Sequence, residues 1–288
     1  MTSVFDFSPA AIRELAAADA ARALAEDVGG GDLTAALVDP SRRAQARVLA
    51  RETAVICGGP WVEAALRQVD PGVRLEWLVG EGERCAAEQV VLQIEGSARG
   101  LLTAERTSLN FLQLLSAVAT KTATYVEAVR GTRAQIVDTR KTLPGLRLAQ
   151  KYAVKTGGGS NHRIGLYDAV LIKENHIAAA GGVTAVLQAA QRVAAQASFI
   201  QIEVETLAQL QEALAAGAKM VLLDNMDMET LREAVRVNAG RAVLEISGGV
   251  TLERLRAYAE TGVDRISIGT LTKDIRATDF SMRLKELR

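Results

Sequence analysis

From residue 134 onward the sequence alternates between short extended apolar runs and amphipathic helical patterns, and this alternation constrains the fold more than any other feature. Extended runs fall at 135–137, 169–172, 199–204, 220–223, 243–246 and 265–268, and the last four begin 21 to 23 residues apart. Helical patterns at 183–195, 207–216, 228–238 and 252–261 separate them. One βα unit has about that length, so the spacing implies parallel strands with right-handed helical crossovers. Two architectures satisfy it: an α/β barrel, or an open doubly wound sheet. The preceding half reads differently. Ser8-Pro9 is a cap and first-turn pair that opens an Ala-rich helical run to about residue 26, closed by Gly29-Gly30-Gly31. Short extended candidates at 44–56, 74–79 and 89–95 then surround a helical patch at 60–69, and two helical segments are expected between 101 and 130. That half is α+β with a small antiparallel sheet.

In parallel α/β folds, chemistry gathers at the carboxyl ends of strands. Those ends carry Asp138-Thr139-Arg140-Lys141, then Lys173, Glu203, Asp224, Ser247-Gly248-Gly249 and Gly269. The period of two along 200–205 puts Gln201, Glu203 and Glu205 on one face, which is expected to line the barrel interior near its mouth. The bland alternative is a buried salt-bridge network. Between Thr139 and Lys173 there are seven Lys or Arg against one acid, Asp168, a local excess of six positive charges. The whole chain of 288 residues carries 34 Lys+Arg and 34 Asp+Glu, so its formal charge is zero. Neutrality argues against coating a nucleic acid or an anionic membrane, while the local excess suits a small, multiply anionic ligand. Lys151 and Lys155, four apart on a helix expected at 146–155, read as solvated. Gly157-Gly158-Gly159 before Ser160, Asn161, His162 and Arg163 either brings backbone N–H groups to an anion or turns the chain sharply. Ser247-Gly248-Gly249 followed by Thr251, with Gly269-Thr270 after the next strand, has the pattern of a phosphate cup.

Several classes are excluded. Cys57 and Cys85 are the only cysteines and His162 and His176 the only histidines, so no close-spaced pair of zinc ligands exists. Cys57 beside two glycines reads as a buried hydrophobe rather than a nucleophile. The start lacks the basic and apolar regions of a signal peptide, and no stretch of eighteen apolar residues occurs, so a cytoplasmic location is expected.

Taken in order, these segments resemble a known family. Asp138-Thr-Arg-Lys-Thr-Leu-Pro-Gly-Leu-Arg147, Lys155-Thr-Gly-Gly-Gly-Ser-Asn-His-Arg163 and Leu171-Ile-Lys-Glu-Asn-His176 closely resemble motifs of the quinolinate phosphoribosyltransferases. Gly30-Gly-Asp-Leu-Thr34, Glu105-Arg-Thr-Ser-Leu-Asn110, Ile202-Glu-Val-Glu205, Leu222-Leu-Asp-Asn225 and Ile246-Ser-Gly-Gly249 extend the likeness over essentially the whole chain. The resemblance implies an N-terminal α+β sandwich-like domain (1–115) followed by an incomplete parallel α/β barrel (116–275), with a tail at 276–288 able to pack on the first. It also implies transfer of a phosphoribosyl group from 5-phosphoribosyl-1-pyrophosphate to quinolinate with decarboxylation. The products would be nicotinate mononucleotide, pyrophosphate and CO2, in NAD biosynthesis, with Mg2+ as cofactor and a homodimer with shared sites. Carried over by motif, Arg106 from the partner, Thr139, Arg140, His162, Arg163 and Lys173 would bind quinolinate. Lys141, Glu203 and Asp224 would be catalytic and contact the second substrate, the two carboxylates holding the metal directly or through water or substrate. Ser247, Gly248 and Gly249, with Ile268, Gly269 and Thr270, would cup its phosphate. This chain departs from the family pattern at Leu143, at Glu174 and at Thr270 and Lys273. A nicotinate phosphoribosyltransferase, or a non-catalytic anion-binding protein on the same fold, is the alternative.

Overall fold

The computed structural model describes residues 5–286. In chain order it begins with α1 (Pro9–Val28), β1 (Arg43–Ala50), β2 (Ala54–Val55), α2 (Gly59–Val69), β3 (Arg74–Trp77), β4 (Arg84–Cys85), β5 (Val90–Ser97) and α3 (Ala98–Ala128). Then come β6 (Gln135–Val137), α4 (Arg147–Thr156), β7 (Val170–Ile172), α5 (Glu174–Ala180) and α6 (Val183–Ala190). The chain continues with β8 (Ile200–Val204), α7 (Leu207–Ala215), β9 (Met220–Asp224), α8 (Met228–Asn238) and β10 (Val243–Ser247). Last are α9 (Leu252–Ala259), β11 (Arg265–Ser267), α10 (Thr270–Lys273) and β12 (Phe280–Glu286). The residues cluster into two compact units. One holds 7–123, 143–158 and the segment from 274 on; the other holds 5–6, 124–142 and 159–273.

The first unit is built on an antiparallel sheet of order β12-β1-β5-β3. Alternation along β1 turns Ala44, Ala46, Val48 and Ala50 inward, and these small side chains pack with Ile94, Val62 and Leu66, and with Leu101 and Leu112 of α3. Burial of this apolar surface is the main stabilising contribution to the unit. The C-terminal tail supplies the edge strand, with Ala50 opposite Phe280 and Ala44 opposite Glu286; residues 287–288 lie outside the described ones. Where two helical segments were expected, α3 runs unbroken for 31 residues. It contains no proline, its one glycine lies in the first turn, and Thr122 returns its hydroxyl to the Val118 carbonyl at 2.7 Å. α4 contradicts the reading of its lysines as a solvated pair: Lys151 is fully buried with Ala149, Gln150 and Val154. Lys155 is exposed and lies 4.8 Å from the Phe7 ring centroid.

The second unit contains a fully parallel sheet of order β6-β11-β10-β9-β8-β7. This is barrel order with one break: β7 to β11 are consecutive neighbours, β6 closes onto β11, and no ladder joins β6 to β7 among the described residues. The sheet is therefore an incomplete barrel rather than a doubly wound one, whose order would reverse at a switch point. Val221, Leu222 and Leu223 are buried in succession, as expected for a strand covered on both faces. Among the described residues no helix is long and apolar enough to cross a membrane.

Candidate active site

The carboxyl ends of the six parallel strands assemble one polar cluster from residues up to about 130 positions apart. Its first wall is the end of β6. Asp138 is fully buried, and its carboxylate accepts from the His162 N–H at 2.8 Å and from Asn161 Nδ2 at 2.7 Å. A second buried carboxylate, Asp168, accepts from the N–H groups of Ile164 and Gly165, each at 2.8 Å. Arg163 thus stands between two anchored stretches of backbone. Its guanidinium is held below its ordinary pKa by burial first and by the neighbouring Arg140 second, with Asp168 opposing. Two guanidinium groups brought together while partly desolvated repel one another until an anion lies between them.

Thr139 Oγ1 accepts from the Lys141 N–H at 3.1 Å, and Thr272 Oγ1 donates to the Lys141 carbonyl at 2.7 Å. The Lys141 stem then passes over Gly269, where a Cβ would meet Lys141 Cδ at 3.0 Å. On the opposite side Lys173 begins α5, and His176 Nδ1 accepts its N–H at 3.0 Å. Lys173 Nζ reaches Glu203 Oε2 at 3.2 Å. Burial still leaves the Glu203 carboxyl above the usual glutamate range; Lys173 pulls it down, while Asp224 and Glu174 push it up.

Asp224 ends β9 directly opposite Ser247 on β10. Asn225 follows in the left-handed region, at φ 50°, and its Nδ2 donates to Asp224 Oδ2 at 2.9 Å. Gly248 packs so closely on this pair that a Cβ would lie 2.5 Å from Asn225 Oδ1. Gly248 and Gly249 both have positive φ, and Thr251 then begins α9. After β11, Ile268 and Gly269 make the corresponding turn, and Thr270 is the first residue of α10. Among the described residues no group of three or more His, Cys, Asp or Glu converges to cage a metal. Glu203 and Asp224 are two neighbouring carboxylates, a set that suits a hydrated divalent ion sharing its shell with substrate phosphates.

The expected interior face holds for Gln201, which is fully buried, and for Glu203, whose side chain is 11% exposed. Glu205 does not share it: it lies beyond the end of β8 and is exposed. The salt-bridge alternative is realised below the mouth, where buried Glu245 accepts from Gln201 Nε2 at 3.2 Å and pairs with Arg265 Nε at 3.4 Å. Both ring nitrogens of His162 have protein partners: Nε2 meets Gln201 Oε1 at 2.7 Å, and Nδ1 accepts the Arg163 N–H at 2.8 Å. Of the glycine run, Gly157 is required by close approach, since a Cβ would sit 2.4 Å from the Ala119 carbonyl oxygen of α3, and Gly158 has φ 87°. These two serve the turn of the chain. Arg106 is exposed on α3 of the first unit. Cys57 is fully buried, and burial followed by Glu81 pushes its thiol well up, which suits a packed side chain and not a nucleophile. From sequence, Asp168 stood out only as the one acid of the basic segment and Asn225 only inside a motif; Glu245, within an apolar strand, and Thr272 were not singled out.

Comparison with known proteins covers nearly the whole chain. Profiles of the quinolinate phosphoribosyl transferase N-terminal and C-terminal domains match residues 32–116 and 118–283. The nicotinate-nucleotide pyrophosphorylase (carboxylating) of Mycobacterium leprae is 44% identical over 273 residues, covering 91% of this chain and 95% of that one. A probable enzyme of the same name from Bacillus subtilis is 38% identical over 257 residues, covering 89% of each. The solved nicotinate-nucleotide pyrophosphorylase of Francisella tularensis superposes with a TM-score of 0.93 at 39% identity, covering 99% of this chain and all of that one.

Proposed function

The chain belongs to the quinolinate phosphoribosyltransferase family, and on that premise we propose that 5-phosphoribosyl-1-pyrophosphate meets quinolinate at the strand ends of β6 to β11. The activity is a decarboxylating pentosyl transfer that yields nicotinate mononucleotide for NAD biosynthesis. The observation that carries the site assignment is the gathering of Arg140, Lys141, Arg163 and Lys173 at the carboxyl ends of β6 and β7 and in the loop that leads into β7, positive charges that a dicarboxylate would pair. A guanidinium offers a planar fork to each carboxylate, and Lys173, beside the same strand ends, adds a compact charge.

Thr139 holds the backbone of Lys141, whose ammonium faces the leaving pyrophosphate. Ser247 to Gly249 and Ile268 to Thr270 cup the 5′-phosphate with backbone N–H groups. The pyridine nitrogen forms its bond to the anomeric carbon as the bond to pyrophosphate breaks, and the ribose ring gains oxocarbenium character. Glu203 and Asp224 oppose that developing positive charge. A divalent cation, Mg2+ in this proposal, would be held by Glu203 and Asp224 through water or substrate oxygens and would stabilise the leaving pyrophosphate. In the second step the bond from ring C2 to its carboxylate breaks and CO2 departs. The electron pair stays on C2 beside the cationic ring nitrogen until a proton replaces the lost group.

We assign the assembly as a homodimer in which Arg106 of one subunit enters its partner's site. Leu33 and Leu37 in the first unit, and Leu166 and Tyr167 in the second, are at least 56% exposed, which supports a covering partner. Purified protein given quinolinate, 5-phosphoribosyl-1-pyrophosphate and Mg2+ should release CO2 in equal amount to nicotinate mononucleotide. Turnover of nicotinate in place of quinolinate, without CO2, would overturn the dicarboxylate reading.

A further inference from the structure

Behind the arginine pair lies a buried polar chain with no place in the chemistry so far. Gln201 on β8 and Glu245 on β10 are both fully buried. A carboxylate only accepts, so the contact between Gln201 Nε2 and Glu245 Oε2 at 3.2 Å fixes which end of the amide faces which way. The amide oxygen is thereby presented to His162 Nε2 at 2.7 Å. That oxygen also only accepts, so Nε2 must carry a proton. On the far side of the ring, Nδ1 accepts the Arg163 N–H at 2.8 Å and must carry none. A doubly protonated ring would set two donors against each other at that contact. The ring is further fixed by the edge of Phe199, with centroids 5.2 Å apart and planes at 86°. Glu245 Oε1 lies 3.7 Å from Nε2, and Arg265 Nε lies 3.4 Å from Glu245 Oε2, so the chain ends on a compensating cation.

We propose that Gln201 and Glu245 are positioning residues that hold His162 as the neutral Nε2–H tautomer and, through its Nδ1, orient Arg163 toward the dicarboxylate. Asp138 fixes the backbone before Arg163 and Asp168 the backbone after it, and the histidine supplies the remaining restraint at the arginine's own N–H. The pocket's positive charge then resides on guanidinium and ammonium groups, while the imidazole contributes direction and no charge. These contacts fix the backbone from which the Arg163 side chain springs, and its Nη1 donates to the Ala169 carbonyl at 3.5 Å, so the guanidinium starts from a fixed root when its anion arrives. The inference rests on the reading of Arg140 and Arg163 as the quinolinate pocket.

The chain has only two histidines, so nitrogen NMR of the full-length protein labelled with 15N-histidine can observe the ring directly. A His176→Gln variant assigns the signals by elimination. The expected result is a single neutral form of His162, protonated at Nε2, between about pH 6 and 8. Gln201→Met removes both amide contacts, and Glu245→Gln keeps the packing while freeing the amide to turn over. Each should dissolve the single-tautomer signature and raise KM for quinolinate about tenfold, with KM for 5-phosphoribosyl-1-pyrophosphate changed less than about twofold. Thermal unfolding of both variants identifies any that simply fails to fold. A proton on Nδ1, or a doubly protonated ring in the wild type, overturns the network. The expected tautomer with quinolinate KM unchanged in both variants overturns the positioning role alone. If Arg163→Ala leaves quinolinate KM unchanged, the pocket reading itself fails, whatever the tautomer.

Discussion

Gly248 and Gly249 are adjacent at the carboxyl end of β10 and both left-handed, at φ 93° and 56°, yet a methyl group added to each meets different surroundings. At Gly249 nothing lies within 4 Å of the new Cβ, so Gly249→Ala bears only the left-handed backbone penalty, about 1–2 kcal/mol. At Gly248 the new Cβ would lie 2.5 Å from Asn225 Oδ1 and 3.2 Å from Asn225 Cγ. The φ of 93° there costs about 1–3 kcal/mol for an L-residue, and Asn225 must also swing away. Moving it breaks the 2.9 Å bond from Asn225 Nδ2 to Asp224 Oδ2, which contributes about 1 kcal/mol. Gly248→Ala should therefore cost about 2–4 kcal/mol of stability in denaturant titration, against about 1–2 for Gly249→Ala. The larger difference should appear in turnover. With its orienting amide gone, Asp224 would lose the direction proposed for it toward the ribose, and kcat should fall roughly 10- to 100-fold in Gly248→Ala. Gly249→Ala, in the proposed phosphate cup, should act through KM for 5-phosphoribosyl-1-pyrophosphate and keep kcat within about threefold of wild type. Initial rates of CO2 release measured beside denaturant midpoints separate the two effects. Equal turnover in the two variants, with Gly248→Ala folded, would refute the claim that Asn225 steers Asp224.

Arg163→Lys should raise KM for quinolinate at least about tenfold, because an ammonium cannot replace the fork; calorimetric affinity equal to wild type would count against the pocket. Glu203 has a folded pKa above its unfolded one, from burial first, with Lys173 only partly offsetting it. Its contribution to stability is therefore complete below the ordinary glutamate range and is lost as pH rises through the raised value. Glu203→Gln should accordingly melt above wild type near pH 7, lose that advantage near about pH 4, and turn over at least about 100-fold more slowly. A lower melting temperature at neutral pH would contradict this. Lys173→Met removes the main influence holding Glu203 down, so the acid limb of the kcat–pH profile should move to higher pH. Mixed Arg106→Ala and Lys173→Ala subunits should regain activity that neither has alone; failure with subunit exchange demonstrated would exclude shared sites.

The regular spacing of apolar runs after residue 134 determined the parallel βα series on its own, because each strand buried on both faces must be apolar and each crossover has a nearly constant length. The same logic placed Arg140, Lys141, Lys173, Glu203, Asp224 and Ser247 at strand ends, since the position of a strand end is a local property. Direction was another matter. Lys151 and Lys155 share a helical spacing, and only packing decided that the first is buried and the second lies on Phe7. Whether the sheet was a barrel or doubly wound depended on β6 pairing with β11, a contact across 130 residues. In the sequence His162 was marked by its place beside Arg163 after the glycine run. Its tautomer was settled by Gln201, 39 residues away, whose amide is turned in its own place by Glu245, a further 44 along. A local pattern can tell where a side chain sits along its element. Which hydrogen-bond partner it meets, and so which protonation state it keeps, depends on what the distant strands bring to the same buried point.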